Sequence, residues 1–155
     1  MPLTLITYPL VISLNQELML PPESCPHEIM ALIDKAACLH NDGRYGEALE
    51  TYRSAQCEWE DSVDDCEHHQ PVDFKRRLYF HLAIGSVMLS AGRYEDALER
   101  FDAAELDAER CLSRGHPNYA VIHSCRAFAF NALRRLSLAF EELVKVRAKP
   151  SAKCP

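Results

Sequence analysis

The chain has 155 residues, 48% of them hydrophobic and 26% charged, enough for one soluble globular unit with a real core. Its 17 basic and 23 acidic residues leave a net charge of −6 without a dense lysine–arginine block. That argues against nucleic acid as a partner, because phosphate neutralisation dominates such binding. No run approaches the ~20 apolar residues of a membrane span, and the seven cysteines form no short-spaced framework, which points to free thiols in a reducing, cytoplasmic compartment.

Residues 1–25 stand apart from the rest of the chain. Thr4 to Leu14 is rich in β-branched residues, and Pro9, Pro21 and Pro22 interrupt helical continuity, so an extended apolar segment is expected. Met1 to Leu14 lacks the basic start of a secretory signal and carries prolines at 2 and 9. Two readings of the strip stand, a free tail or a segment docked on the helical array or on a neighbouring subunit.

From Pro26 the pattern turns helical. Pro26 suits a first turn, Glu28 complements the positive helix end, and Asn41-Asp42-Gly43 stops the helix after about His40. A second helix is predicted from Tyr45 to at least Glu60, running into an acidic stretch of Glu58, Glu60, Asp61, Asp64, Asp65 and Glu67. Further helices are predicted over about Asp73–Ser90, Tyr94–Leu112, Asn118–Leu133 and Leu136–Ala148, leaving a short proline-bounded tail at 149–155.

Two of these stretches are near copies. Gly43, Tyr45, Ala48, Tyr52 and Ala55 recur as Gly92, Tyr94, Ala97, Phe101 and Ala104, within a shared Gly-Arg-Tyr-x-[Glu/Asp]-Ala-Leu-Glu. The aromatics and alanines form one stripe at helical spacing. Alanine falls where two helices approach closely, and the glycines can take the positive φ that closes the preceding helix. A third copy from Ala120 to Val146 keeps the spacing with Ala127, Phe130, Leu136, Ala139, Leu143 and Val146, but its turn glycine is replaced by Arg134.

This pattern resembles the tetratricopeptide repeat. Upstream of Gly92, Ile84, Gly85 and Met88 match the family's large–small pair and next large residue. Upstream of Gly43, Ala36 and Leu39 do so, with Lys35 where the family usually has leucine. Ala48 to Ala97 spans 49 residues and Ala97 to Ala139 spans 42, against the usual period of about 34. Gly115-His116-Pro117-Asn118-Tyr119-Ala120 resembles the start of the kinesin light chain type of repeat, whose period matches the second spacing. The resemblance implies an all-α, right-handed solenoid of about three helical hairpins over 26–148, with repeats at about 26–66, 73–114 and 118–148.

It also implies a concave groove lined by the leading helices. Met30, Ile33, Ala37 and Asn41 are expected there from the first repeat, and Tyr79, Leu82, Ser86 and Leu89 from the second. Val121, Ser124, Phe128 and Asn131 follow from the third. The same positions suit ordinary inter-helix packing equally well. Lysine, arginine and asparagine of the family's chaperone-tail clamp are absent, since Ile33, Ala37, Ser86, Ser124 and Phe128 stand in their places. An apolar groove suits a polypeptide presenting aliphatic side chains.

Chemistry is otherwise sparse. Cys57, Cys66, His68 and His69 lack the paired spacing of structural zinc sites and read as part of a solvated loop. Cys38, Cys111 and Cys125 read as small core hydrophobes, and His123 and Cys125, two apart on one helix, point to different faces. Without a phosphate loop, nucleophile elbow or carboxylate motif, no cofactor and no catalysis are expected. The preferred function is a non-catalytic adaptor or scaffold binding a polypeptide, with self-association possible. The alternative is a structural subunit of a larger assembly, attached through the N-terminal strip and a last helix whose Leu138, Phe140, Leu143, Val144 and Val146 cannot all face the preceding repeat.

Overall fold

A computed structural model describes residues 25–63 and 71–147. Among them are six helices and no strand: α1 (His27–Asn41), α2 (Tyr45–Val63), α3 (Pro71–Ser90), α4 (Tyr94–Cys111), α5 (Pro117–Ala132) and α6 (Leu136–Arg147). Residues 1–24 of the expected N-terminal segment, the short tail, and Asp64, Asp65, Cys66, Glu67, His68 and His69 lie outside the described residues.

The helices end where the glycine pattern places the stops. Gly43 and Gly92 both take positive φ, +76° and +77°, and in each turn the next residue's N–H reaches back five residues, Arg44 to the Leu39 carbonyl and Arg93 to that of Met88. These bonds satisfy carbonyls that a helix end leaves orphaned. The turn between α5 and α6 is built identically, Arg135 N–H bonding the Phe130 carbonyl, with Arg134 held at φ 62°. At the start of α5 the His116 ring accepts from the Asn118 N–H at 3.1 Å, and Pro117 occupies the first helical position, where no N–H is needed.

Packing follows chain order. Helices contact most closely in the pairs α1 with α2, α3 with α4 and α5 with α6, and each pair meets the next through α2 with α3 and α4 with α5. One continuous core runs through them, with Ala36, Ala48, Ala55, Ile84, Val87, Ala97, Phe101, Ala104 and Ile122 sealed from solvent. Within the second pair Gly85 lies under the Phe101 ring, so close that an added methyl would sit 2.8 Å from Phe101 Cε1. Between the first and second pairs, Trp59 meets Phe80 edge to face at 6.1 Å and carries the Arg76 guanidinium on its face.

Candidate interaction surfaces

The leading helices α1, α3 and α5 carry the twelve groove candidates. Of these, Ile33, Tyr79, Leu82, Ser86, Leu89 and Val121 are buried, while Met30, Ala37, Ser124, Phe128 and Asn131 are half-buried and Asn41 is exposed. Tyr79 and Tyr52 have phenol pKa values pushed up by burial, Tyr52 to about 12. Phe128 meets the Tyr94 ring at 6.3 Å, so it belongs to the α4–α5 contact. The accessible part of this set is therefore its less buried end: Met30, Ala37 and Asn41 on α1, and Ser124 and Asn131 on α5.

Cysteine placement departs from expectation at one position. Cys125 is buried and Cys111 half-buried, but Cys38 is exposed. One repeat later its place is taken by Val87, and two later by Ala129, both fully buried. Those residues lie on the face opposite Gly85 and Ala127, and on α3 that face carries Phe80, which meets Trp59 of the preceding pair. Because α1 is the first of the six described helices, the same face remains open there. Cys57 is exposed, and among the described residues no group of three or more His, Cys, Asp or Glu side chains is placed to hold a metal.

Two polar clusters inside the array have no motif announcing them. In the first, Asp107 of α4 is almost wholly buried beside Arg77 at 3.4 Å and His81 Nε2 at 3.6 Å, both from α3. Arg100 lies 3.5 Å from the other ring nitrogen, Nδ1. A guanidinium N–H pointing at Nδ1 needs a lone pair there, so the ring is neutral with its proton on Nε2, towards Asp107. Burial first, and then Arg100 and Arg77, push the His81 pKa down to about 4.

The second cluster joins three helices. Glu142 of α6 is buried and accepts from His123 Nδ1 at 2.8 Å and from Lys145 Nζ at 2.9 Å, with Arg126 at 3.6 Å. Arg126 also binds Glu105 and reaches Asp102 at 3.3 Å, both on α4. Burial alone would raise the Glu142 pKa, but the bonds from Lys145 and His123 and the Arg126 charge outweigh it and hold the carboxylate ionised. The sequence offers a faint signal for this site, since Glu142 falls on the same side of α6 as Ala139 and Val146.

The apolar surface left open is concentrated on that same helix. Of the large hydrophobic side chains exposed among the described residues, Leu136, Leu138, Phe140, Leu143 and Val144 lie on α6, and only Leu106 lies elsewhere. Leu136, Phe140, Leu143 and Val144 form a single stripe at helical spacing, beside the buried line of Ala139 and Glu142. The expectation that this helix could not bury all its apolar residues is met. No helix among the described residues is long and apolar enough to cross a membrane. No family model, curated protein or solved structure matches the chain.

Proposed function

We propose that the chain is a non-catalytic protein–protein interaction module of the tetratricopeptide kind, three helical hairpins stacked as a right-handed solenoid, working as an adaptor or scaffold in a reducing compartment. Support for the repeat assignment comes from the turns: three helix ends closed by the same hydrogen-bond pattern, each followed by a helix with alanine at its close approach. The observation that carries the function is the apolar stripe on α6. Monomeric proteins rarely leave a contiguous run of large aliphatic and aromatic side chains in water unless something binds it.

The half-buried groove positions of α1 and α5 suit an extended polypeptide in the adaptor reading. A second reading, that of a subunit built into a larger assembly, is favoured by the size of the open α6 face relative to the few accessible groove residues. A photo-crosslinking amino acid placed in turn at Met30, Asn131 and Phe140 in the native cell tests both. Discrete polypeptide adducts at Met30 or Asn131 are expected of an adaptor, and stoichiometric adducts at Phe140 of an assembly subunit. A chain that forms no adduct at any of the three sites is not an interaction module.

A further inference from the structure

The chain repeats itself closely enough that what should cover α6 can be read from what covers its two counterparts. Ala48, Ala97 and Ala139 mark equivalent points on α2, α4 and α6. Phe140 then corresponds to Leu49 and Leu98, which are 5% and 6% exposed, yet Phe140 is 68% exposed. Leu143 corresponds to Tyr52 and Phe101, both buried, yet Leu143 is 49% exposed. Beside these positions on α4 the covering helix is visible: Tyr94, the counterpart of Leu136, meets Phe128 of α5. Asp102 and Glu105, the counterparts of Val144 and Arg147, bind Arg126 of α5. The face of α6 is thus the seat of one more leading helix.

That helix is not α1 of a second copy. The side of α3 turned to the preceding pair carries Phe80, Ala83 and Val87, and that of α5 carries Ile122, Cys125 and Ala129, all buried. The same positions on α1 hold Ala31, Asp34 and Cys38, all exposed. A head-to-tail stack would set Lys35, the counterpart of Arg126, against Arg147, the counterpart of Glu105, and would lay the Asp34 carboxylate on the apolar stripe, both of which oppose it. Nor does α6 suit pairing with its own copy. At the two ends of its stripe stand exposed Arg134 and Arg147, while Arg135 is held by Glu95 and Lys145 by Glu142, and the helix carries one exposed acid, Glu141. Parallel pairing sets Arg147 beside Arg147, and antiparallel pairing sets it beside Arg134, like charges in either case.

We infer that the α6 face, centred on Phe140 and Leu143, docks an acidic amphipathic helix of a different polypeptide, which takes the position of the next leading helix in the stack. Its apolar stripe covers Leu136, Phe140, Leu143 and Val144. A carboxylate on its flank meets Arg147, reversing the polarity of the Arg126–Glu105 contact between α4 and α5. This inference rests on the interaction-module reading and names the partner's chemistry for one of its surfaces.

The test uses the full chain and two synthetic helices sharing one leucine stripe at i, i+3, i+4 and i+7, one flanked by glutamate and its twin by lysine. Fluorescence anisotropy is expected to show the acidic peptide binding at least about tenfold more tightly than the twin. Phe140→Glu should abolish that binding while leaving the helical circular dichroism intact, because the side chain is exposed. Arg147→Glu should shift preference towards the lysine twin. Equal affinity for both peptides, or acidic-peptide binding untouched by Phe140→Glu, overturns the inference. So does a dimer in light scattering that Phe140→Glu converts to monomer, since a second copy would then be the occupant. Crosslinks at Met30 or Asn131 in cells, without peptide binding at α6, would leave the interaction module standing and remove this surface from it.

Discussion

His123 on α5 donates from Nδ1 to Glu142 on α6 at 2.8 Å, and the two side chains close the last helical pair from inside. Replacing Glu142 with glutamine keeps the shape and removes the charge that Lys145, His123 and Arg126 converge on. We expect Glu142→Gln to cost about 1–3 kcal/mol in urea unfolding, the usual penalty for disabling one member of a buried charged hydrogen-bond set. The pH dependence gives a second reading of the same contact. A carboxylate held below its ordinary pKa contributes stability above the unfolded value, and that stability is lost as pH falls through the folded value. Acid unfolding of the variant should therefore lack part of the wild-type slope below the ordinary carboxylate range. An unchanged acid limb would show that the cluster does not hold α6 in place.

Arg134 takes φ 62° in a turn whose two counterparts use glycine. A residue with a Cβ pays about 1–2 kcal/mol for the left-handed region. Glycine gives back some of this through its freer unfolded chain. Arg134→Gly should raise stability by up to about 1 kcal/mol, measured as a higher urea midpoint at unchanged slope. Gly92→Arg, the reverse exchange in the preceding turn, should destabilise by a similar amount. A loss on Arg134→Gly would mean that the arginine side chain itself secures the turn.

Much of this architecture is legible in the sequence because helices and their stops are local. The 3.6-residue stripe of Tyr94, Ala97, Phe101 and Ala104 and the glycine ahead of it define a helix without reference to anything distant, and α4 lies where they put it. The open stripe on α6 is legible for the same reason. Whether a helix face is covered is a different kind of property, set by which element stands next to it. Cys38 and Val87 occupy equivalent positions, yet one is exposed and the other buried, because among the described residues α3 has a pair in front of it and α1 has none. Groove and core adjoin on α3, which is why Tyr79, Leu82 and Leu89 suit either from sequence but are buried in the fold. The Glu105–Arg126–Glu142 cluster draws on three helices and no short motif, so periodicity marks the inward place of Glu142 but not the partners that meet it there.

Gly85 is the small member of a close helix crossing, and Phe101 fills the space its missing side chain leaves. Alanine there would gain helix propensity of about 0.8–1 kcal/mol, but its methyl would sit 2.8 Å from a ring that is fully buried and cannot swing aside. Overpacking of that kind costs about 1–3 kcal/mol. The expected outcome of Gly85→Ala is a net loss, and pairing it with Phe101→Leu should recover part of it. The third repeat already has that combination, with Ala127 and Leu143 at the equivalent positions. Two losses that simply add in the double variant would show that the residues do not compete for one space.

His81 carries the last prediction, because its ring sits between opposite demands. Asp107 at Nε2 would welcome a proton, but the loss of water on burial, Arg100 at Nδ1 and Arg77 nearby all oppose one, and together they push the pKa down to about 4 from an ordinary 6.5. Between those two values the unfolded chain binds a proton that the folded chain refuses. Stability therefore falls as pH drops from about 6.5 towards about 4, and is unaffected by this group above that window. His81→Gln keeps a polar group beside Asp107 and has nothing to titrate, so its stability should decline less over the same range. His40, whose pKa burial also lowers and whose ring bonds Ser90 Oγ at 2.7 Å, slopes in the same direction, so His40→Gln is the parallel control. Following the His81 ring proton by NMR as acid is added reads the group directly. A midpoint near 4 fits a neutral imidazole accepting from Arg100, whereas one near 6.5 would mean that Asp107 governs the site and the ring is charged in the folded protein.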